Sequence, residues 1–191
     1  IKQGCWYEDN PVTLLPGCDI QRFKDIEFRN NGYPTKPIKT KLTLQKLASS
    51  KSNEYKPIIR ELNVSRDFES KFLNVVKRIP ALTNIRVLEQ TNPSHLQITA
   101  QHVSGVSSRN MEVYCDRFPK TQKELWFCIG YQNEELLIIK RCQPRKAGKI
   151  IELECDLLIP EELYGENLTF TIVNDAMDLQ YTVNVQLQEE L

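Results

Sequence analysis

The chain has 191 residues, 25 Lys or Arg against 25 Asp or Glu, with 40% hydrophobic and 26% charged positions. That length can bury the core of one large domain or two small ones. No apolar run approaches the roughly 20 residues of a membrane span, so no membrane partner is expected. The charge is asymmetric: residues 150–191 hold ten Asp or Glu and no Lys or Arg, so all 25 basic residues lie in 1–149 beside 15 acidic ones. Such a split fits two faces with different partners, or two faces that are simply solvated.

The chain begins at Ile1 without a signal peptide and is expected to be a piece of a longer protein. Residues 1–35 are mixed. Asp9-Asn10-Pro11 and Pro16-Gly17 mark turns, and Asp19 caps a predicted helix over 20–28. Pro34 and Pro37 hold the next link extended.

Residues 36–81 read as a helix–loop–helix unit. Leu42, Leu44 and Leu47 fit one short helix, and Tyr55, Ile58, Ile59 and Leu62 a second. Ser65 caps a third, on which Phe68, Phe72, Val75, Val76 and Ile79 form one buried stripe ended by Pro80.

Near residue 84 the period changes from 3.6 to 2. Leu96, Ile98 and Ala100 alternate with polar residues, as do Ile151, Leu153, Cys155 and Leu157. Segments 85–90, 125–131, 136–142, 168–172 and 181–187 complete seven predicted strands, with a further short one at 111–115. Residues 82–191 are therefore predicted to form an antiparallel β-sandwich. Gln132-Asn133-Glu134 reads as a hairpin connection and Ala147-Gly148-Lys149 as a turn.

Six cysteines fall at 5, 18, 115, 128, 142 and 155, without a CxxC or a Cys/His quartet, so no zinc site is expected. Cys128, Cys142 and Cys155 sit in strand patterns and are expected to be reduced core thiols rather than a secreted sandwich's disulfide. The sequons at Asn63 and Asn167 read as chance matches. No glycine-rich phosphate loop is present, so no ATP site or other cofactor is expected in this fragment. His95 and His102 are seven residues apart on one strand and so face opposite ways. No catalytic residue, metal ligand or small-molecule substrate is assigned.

Two surfaces are candidates for binding. Lys36, Lys39, Lys41 and Lys46 open a basic stretch, continued by Lys51, Lys56 and Arg60, that can touch nucleic-acid phosphates. Glu152, Glu154, Asp156, Glu161 and Glu162 can receive a basic protein segment.

Three stretches carry a family resemblance. Residues 3–17, QGCWYEDNPVTLLPG, resemble the QGxW…NPLLxLP segment of Sec sixty-three-type domains. Phe118-Pro119-Lys120 through Gly130, followed by Glu135–Arg141, resembles that family's FPK…EWWxxxG…NxLLxxKR strand pair. Residues 167–187 resemble its last hairpin, shortened at 174–181 and lacking the family's glycine. The resemblance implies an α+β architecture: the end of a helical bundle (1–35), a helix–loop–helix (36–81) and an immunoglobulin-like, fibronectin-type-III-like sandwich (82–191). It further implies an ATP-dependent RNA helicase upstream, with this piece as its non-catalytic interaction module. The first expected setting is the second cassette of the spliceosomal U-five snRNP helicase: nuclear, with spliceosomal proteins as partners, weak RNA contact and a monomer within a large complex. A ribosome-associated helicase or an endoplasmic-reticulum translocon J-protein is the alternative.

Overall fold

The computed structural model describes residues 11–18, 43–50, 54–62, 64–89, 95–103, 111–114, 121–148, 150–177 and 179–187. The predicted helix over 20–28 lies outside them, as do Lys36, Lys39, Lys41 and Lys51.

A 3₁₀ turn, Pro11–Leu14, opens the described chain. Gly17 follows in the left-handed region at φ 80°. A Cβ there would meet Phe68 Cβ at 3.0 Å and Val64 Cγ1 at 3.1 Å. A glycine at this turn therefore lets it lie close against the helices. Three short helices come next: α1 (Leu44–Ser49), α2 (Tyr55–Glu61) and α3 (Arg66–Val76). The Thr43 side chain caps α1 by accepting from Lys46 N. Ser65 stands at the N-cap of α3 as expected, but its side chain makes no capping bond. Phe72, Val75, Val76 and Ile79 are buried, as their spacing predicts. Phe68 is not: it is 44% exposed, one turn before the buried stripe and beside Gly17 at the rim of the helical unit.

The chain enters its first strand at residue 81, slightly before the change of period. Ten strands follow among the described residues: β1 (Ala81–Glu89), β2 (His95–Val103), β3 (Glu112–Tyr114), β4 (Thr121–Lys123), β5 (Trp126–Gln132), β6 (Glu135–Arg141), β7 (Gln143–Ala147), β8 (Ile150–Leu158), β9 (Asn167–Asn174) and β10 (Gln180–Gln186). They form two four-stranded antiparallel sheets, ordered β1-β2-β8-β7 and β10-β9-β5-β6, and a β3-β4 ribbon. The fold is thus mostly β, with few helices among the described residues.

Besides the seven expected strands, the structure has β3 at the suggested short segment, and β4 and β7. Strand β7 reads Gln-Pro-Arg-Lys-Ala and is exposed throughout. An edge strand with neither face buried has no alternation to reveal it. Its turn to β8 is made at Gly148, φ 64°.

The two sheets share one core, which gathers Leu96, Ile98, Trp126, Cys128, Leu153, Leu157, Phe170 and Ile172 from both. On β5 the inward set is Trp126, Cys128 and Gly130, while Phe127, Ile129 and Tyr131 are half-buried on the outer face. Asn133 and Glu134, at φ 48° and 70°, make the two-residue β5–β6 hairpin. Gly130 is needed for close approach: a Cβ there would stand 2.8 Å from both Ile138 Cγ2 and Phe170 Cε1.

Candidate interaction site

The buried polar groups come first, because a catalytic site would need such groups within reach of solvent. His102, on the inward face of β2, places Nε2 2.8 Å from Glu124 Oε1, with the two side chains 0% and 2% exposed. The contact has an ion pair's length without hydrogen-bond alignment, and His102 Nδ1 has no hydrogen-bond partner among the described residues. The other Glu124 oxygen accepts from Trp126 Nε1 and Asn174 Nδ2, each at 3.1 Å. Asn174 Oδ1 in turn accepts from Ala176 N and Met177 N. The group joins β2 of one sheet to β5 and β9 of the other. A carboxylate is rarely buried unless partnered, and this one is sealed from any substrate. It is a fastening between the sheets. Sequence reasoning missed Glu124 as a buried group, although Glu124 and Trp126 lie in the quoted strand-pair motif.

The three strand cysteines also meet in the core. Cys155 on β8 hydrogen-bonds the thiols of Cys128 and Cys142. Those bonds, followed by burial, push the Cys128 and Cys142 thiols up from their ordinary range. Both stay protonated and inert at neutral pH. Cys18, Cys128, Cys142 and Cys155 form no disulfide among the described residues. Among the described residues no group of three or more His, Cys, Asp or Glu side chains could hold a metal ion, and no helix is long and apolar enough to cross a membrane.

The predicted acidic surface divides in two. Glu152, Glu154 and Asp156 share the outer face of β8, because Ile151, Leu153, Cys155 and Leu157 alternate inward. They are partly engaged: Gln97 Nε2 donates to Asp156 Oδ1 at 2.8 Å, and Arg145 Nη1 lies 3.0 Å from Glu154 Oε1. Glu161 and Glu162 stand apart on the exposed 3₁₀ turn Glu161–Leu163. Of the basic residues, Lys46 is exposed on α1. Lys56, Arg60 and Arg66 line a groove of about 490 Å³ between α2 and α3, together with Ile59, Val64 and Glu69. Three cations against one carboxylate suit an anionic ligand.

The two lateral edges of the sheets differ. At one, β1 and β10 lie against each other, α1 packs on β1, and the Tyr181 hydroxyl bonds the Leu82 backbone. At the other, β6 and β7 are terminal strands. There Leu136, Leu137 and Ile139 are 56%, 39% and 59% exposed. The outer face beside them continues through Phe127, Ile129 and Tyr131. Exposed apolar surface joined to a strand edge unpaired among the described residues is what binding by strand addition uses.

No family model matches the chain. Over 95% of its length it is 42% identical to the RQC trigger complex helicase SLH1 of Saccharomyces cerevisiae, and it spans 10% of that relative's length.

Proposed function

We propose that this chain, homologous to one segment of an RQC trigger complex helicase, is a non-catalytic docking domain of a large Ski2-like RNA helicase. The carrying observation is the 42% identity along nearly the whole chain to one-tenth of a helicase. The sealed His102–Glu124 pair supports the non-catalytic reading. The strand order β1-β2-β8-β7 over β10-β9-β5-β6 supports an immunoglobulin-like sandwich of the kind that Sec sixty-three-type modules carry. Of the two helicase settings implied by the sequence, the relative's name favours the ribosome-associated one over the spliceosome. The domain's work is to hold protein partners, and its α2–α3 groove offers a weaker contact for RNA phosphates.

Deleting residues 81–187 from the parent helicase tests this. The account expects RNA-stimulated ATP hydrolysis to persist while proteins that co-purify with the helicase are lost. Loss of hydrolysis with an unchanged set of partners would refute it.

A further inference from the structure

Strand β6 faces β5 through a register that slips once. Phe127, Ile129 and Gly130 stand opposite Arg141, Ile139 and Ile138, but Tyr131 stands opposite Leu136, so Leu137 is a bulged extra residue. Residues directly opposite each other share one side of a sheet. Ile138 points inward over Gly130, and Glu135, opposite Gln132, lies on the same inner side. The outer row of β6 is therefore Leu136, Ile139 and Arg141, beside Tyr131, Ile129 and Phe127. Farther across the sheet the outer side chains of β9 and β10 satisfy one another. Thr169 Oγ1 donates to Asn184 Oδ1 at 3.0 Å, and the Thr171 and Thr182 hydroxyls lie 3.2 Å apart. The outer face thus has a polar half whose hydrogen bonds are made and an apolar half at β5 and β6. Over all four strands its only charged side chain is Arg141. Arg141 is exposed and has no ion-pair or hydrogen-bond partner among the described residues. Its neighbour Lys140 is engaged within the molecule, donating to Asp156 O.

We propose that β6 pairs antiparallel with an extended segment of a protein partner, in which an Asp or Glu faces Arg141 and an apolar residue two positions on faces Ile139. The pairing rests on the docking reading and gives the docked segment its chemistry. Every neighbouring pair in this sheet is antiparallel, and antiparallel pairing is the more stable kind. The bulge at Leu137 ends the regular ladder, so the segment pairs along Ile138–Arg141. Its next apolar residue then lies over Leu136 and Tyr131. A wholly apolar segment would cover the Arg141 guanidinium without a partner, which is costly, whereas a carboxylate can accept two of its hydrogen bonds. A second copy of this chain does not answer Arg141. The outer row of β6 holds no acid, so self-pairing sets Arg141 against an apolar side chain or another Arg141. RNA suits the face less well, because a single cation neutralises few phosphates. The neighbouring edge does not invite pairing: β7 carries Pro144, which has no N–H, and two cations within five exposed residues.

The probes are two fluorescein-labelled peptides, Ser-Asp-Thr-Val-Thr-Val-Thr-Ser and the same sequence with Lys in place of Asp. Each is titrated with the 191-residue chain and with the parent helicase, and fluorescence anisotropy is read. The Asp peptide is expected to bind with a Kd of about 10–100 µM, and the Lys peptide about fivefold more weakly. Arg141→Glu is expected to reverse that preference. Ile139→Lys is expected to weaken both peptides by about tenfold, with circular dichroism confirming the fold. N-methylation of alternate amides in the Asp peptide separates ladder pairing from surface contact. Methylating the set that faces β6 should abolish binding, and methylating the other set should not. No binding at chain concentrations up to about 300 µM would overturn the proposal. So would an Arg141→Glu chain that keeps the wild-type preference, equal tolerance of both methylated sets, displacement of the Asp peptide by oligouridine, or a dimer of the chain that Ile139→Lys dissolves. Each of these leaves the docking reading intact if deleting residues 81–187 still removes co-purifying proteins. Partners that survive the deletion while the Asp peptide binds as expected would refute the docking reading alone.

Discussion

The two sides of this sandwich are built from the same kind of strand and finished differently. On the β1/β10 side the chain closes on itself: α1 packs against β1, and Tyr181 reaches from β10 to the Leu82 backbone. On the β6/β7 side the described chain leaves two terminal strands. One is guarded by Pro144 and cations, and the other presents Leu136, Leu137 and Ile139 to solvent. A protein that needed only to fold would gain by placing polar residues on β6. Exposed apolar residues there cost solubility and contribute little to stability, which fits the partner binding proposed for this protein. Closed and open sides should therefore respond differently to substitution.

The largest effect is expected in the interior that both sides share. Trp126→Ala removes the largest fully buried side chain and frees one Glu124 oxygen from a donor. It should cost about 3–5 kcal/mol in urea unfolding, enough to unfold many domains of this size. Gly130→Ala comes next, because its methyl would press on Ile138 and Phe170. A loss of about 1–3 kcal/mol is expected, with β6 the strand displaced.

On the closed side, Tyr181→Phe should lose about 1 kcal/mol, the net worth of one hydrogen bond. It should also change the response to alkali. Burial, the larger influence, raises the Tyr181 pKa above its ordinary 10.0, and the Leu82 bond only partly offsets this. The unfolded tyrosine ionises first as pH rises. Its contribution is thus complete below pH 10 and lost progressively above it. The Phe variant should show a shallower fall in melting temperature above pH 10. The smallest stability effect belongs to the open side: Ile139→Lys, at a position 59% exposed, should change unfolding by less than about 0.5 kcal/mol while weakening the binding of protein partners at this edge.

The same contrast explains what the sequence could reveal. Strand β8 was legible because one of its faces is buried and the other wet: Ile151, Leu153, Cys155 and Leu157 point in, and Glu152 and Glu154 point out. The α3 stripe was legible for the matching helical reason, apart from Phe68 at its rim. Strand β7 was illegible because nothing on it is buried. Strand β6 was found as a strand, but its apolar run has the composition of a core strand. Composition alone does not tell a core strand from an exposed edge strand; the sheet order does. Glu124 was hidden for another reason. A single acid between strands reads as solvated, and only the assembly of β2, β5 and β9 around it supplies the His102, Trp126 and Asn174 contacts. Of the predicted binding residues, Glu152, Glu154 and Asp156 do share one face, because alternation fixes faces. Glu161 and Glu162 fall on a separate turn, and neighbourhood in sequence did not group them with the strand.

Hydrogen–deuterium exchange, read by mass spectrometry on peptides covering β6 and β10, tests the difference between the two edges most directly. The comparison is between the dilute isolated chain and the assembled parent helicase. The account predicts that Glu135–Arg141 exchanges quickly in the isolated chain and is strongly protected in the assembly, while Gln180–Gln186 changes little. Equal exchange of Glu135–Arg141 in both states, or protection that appears on β10 instead, would contradict it.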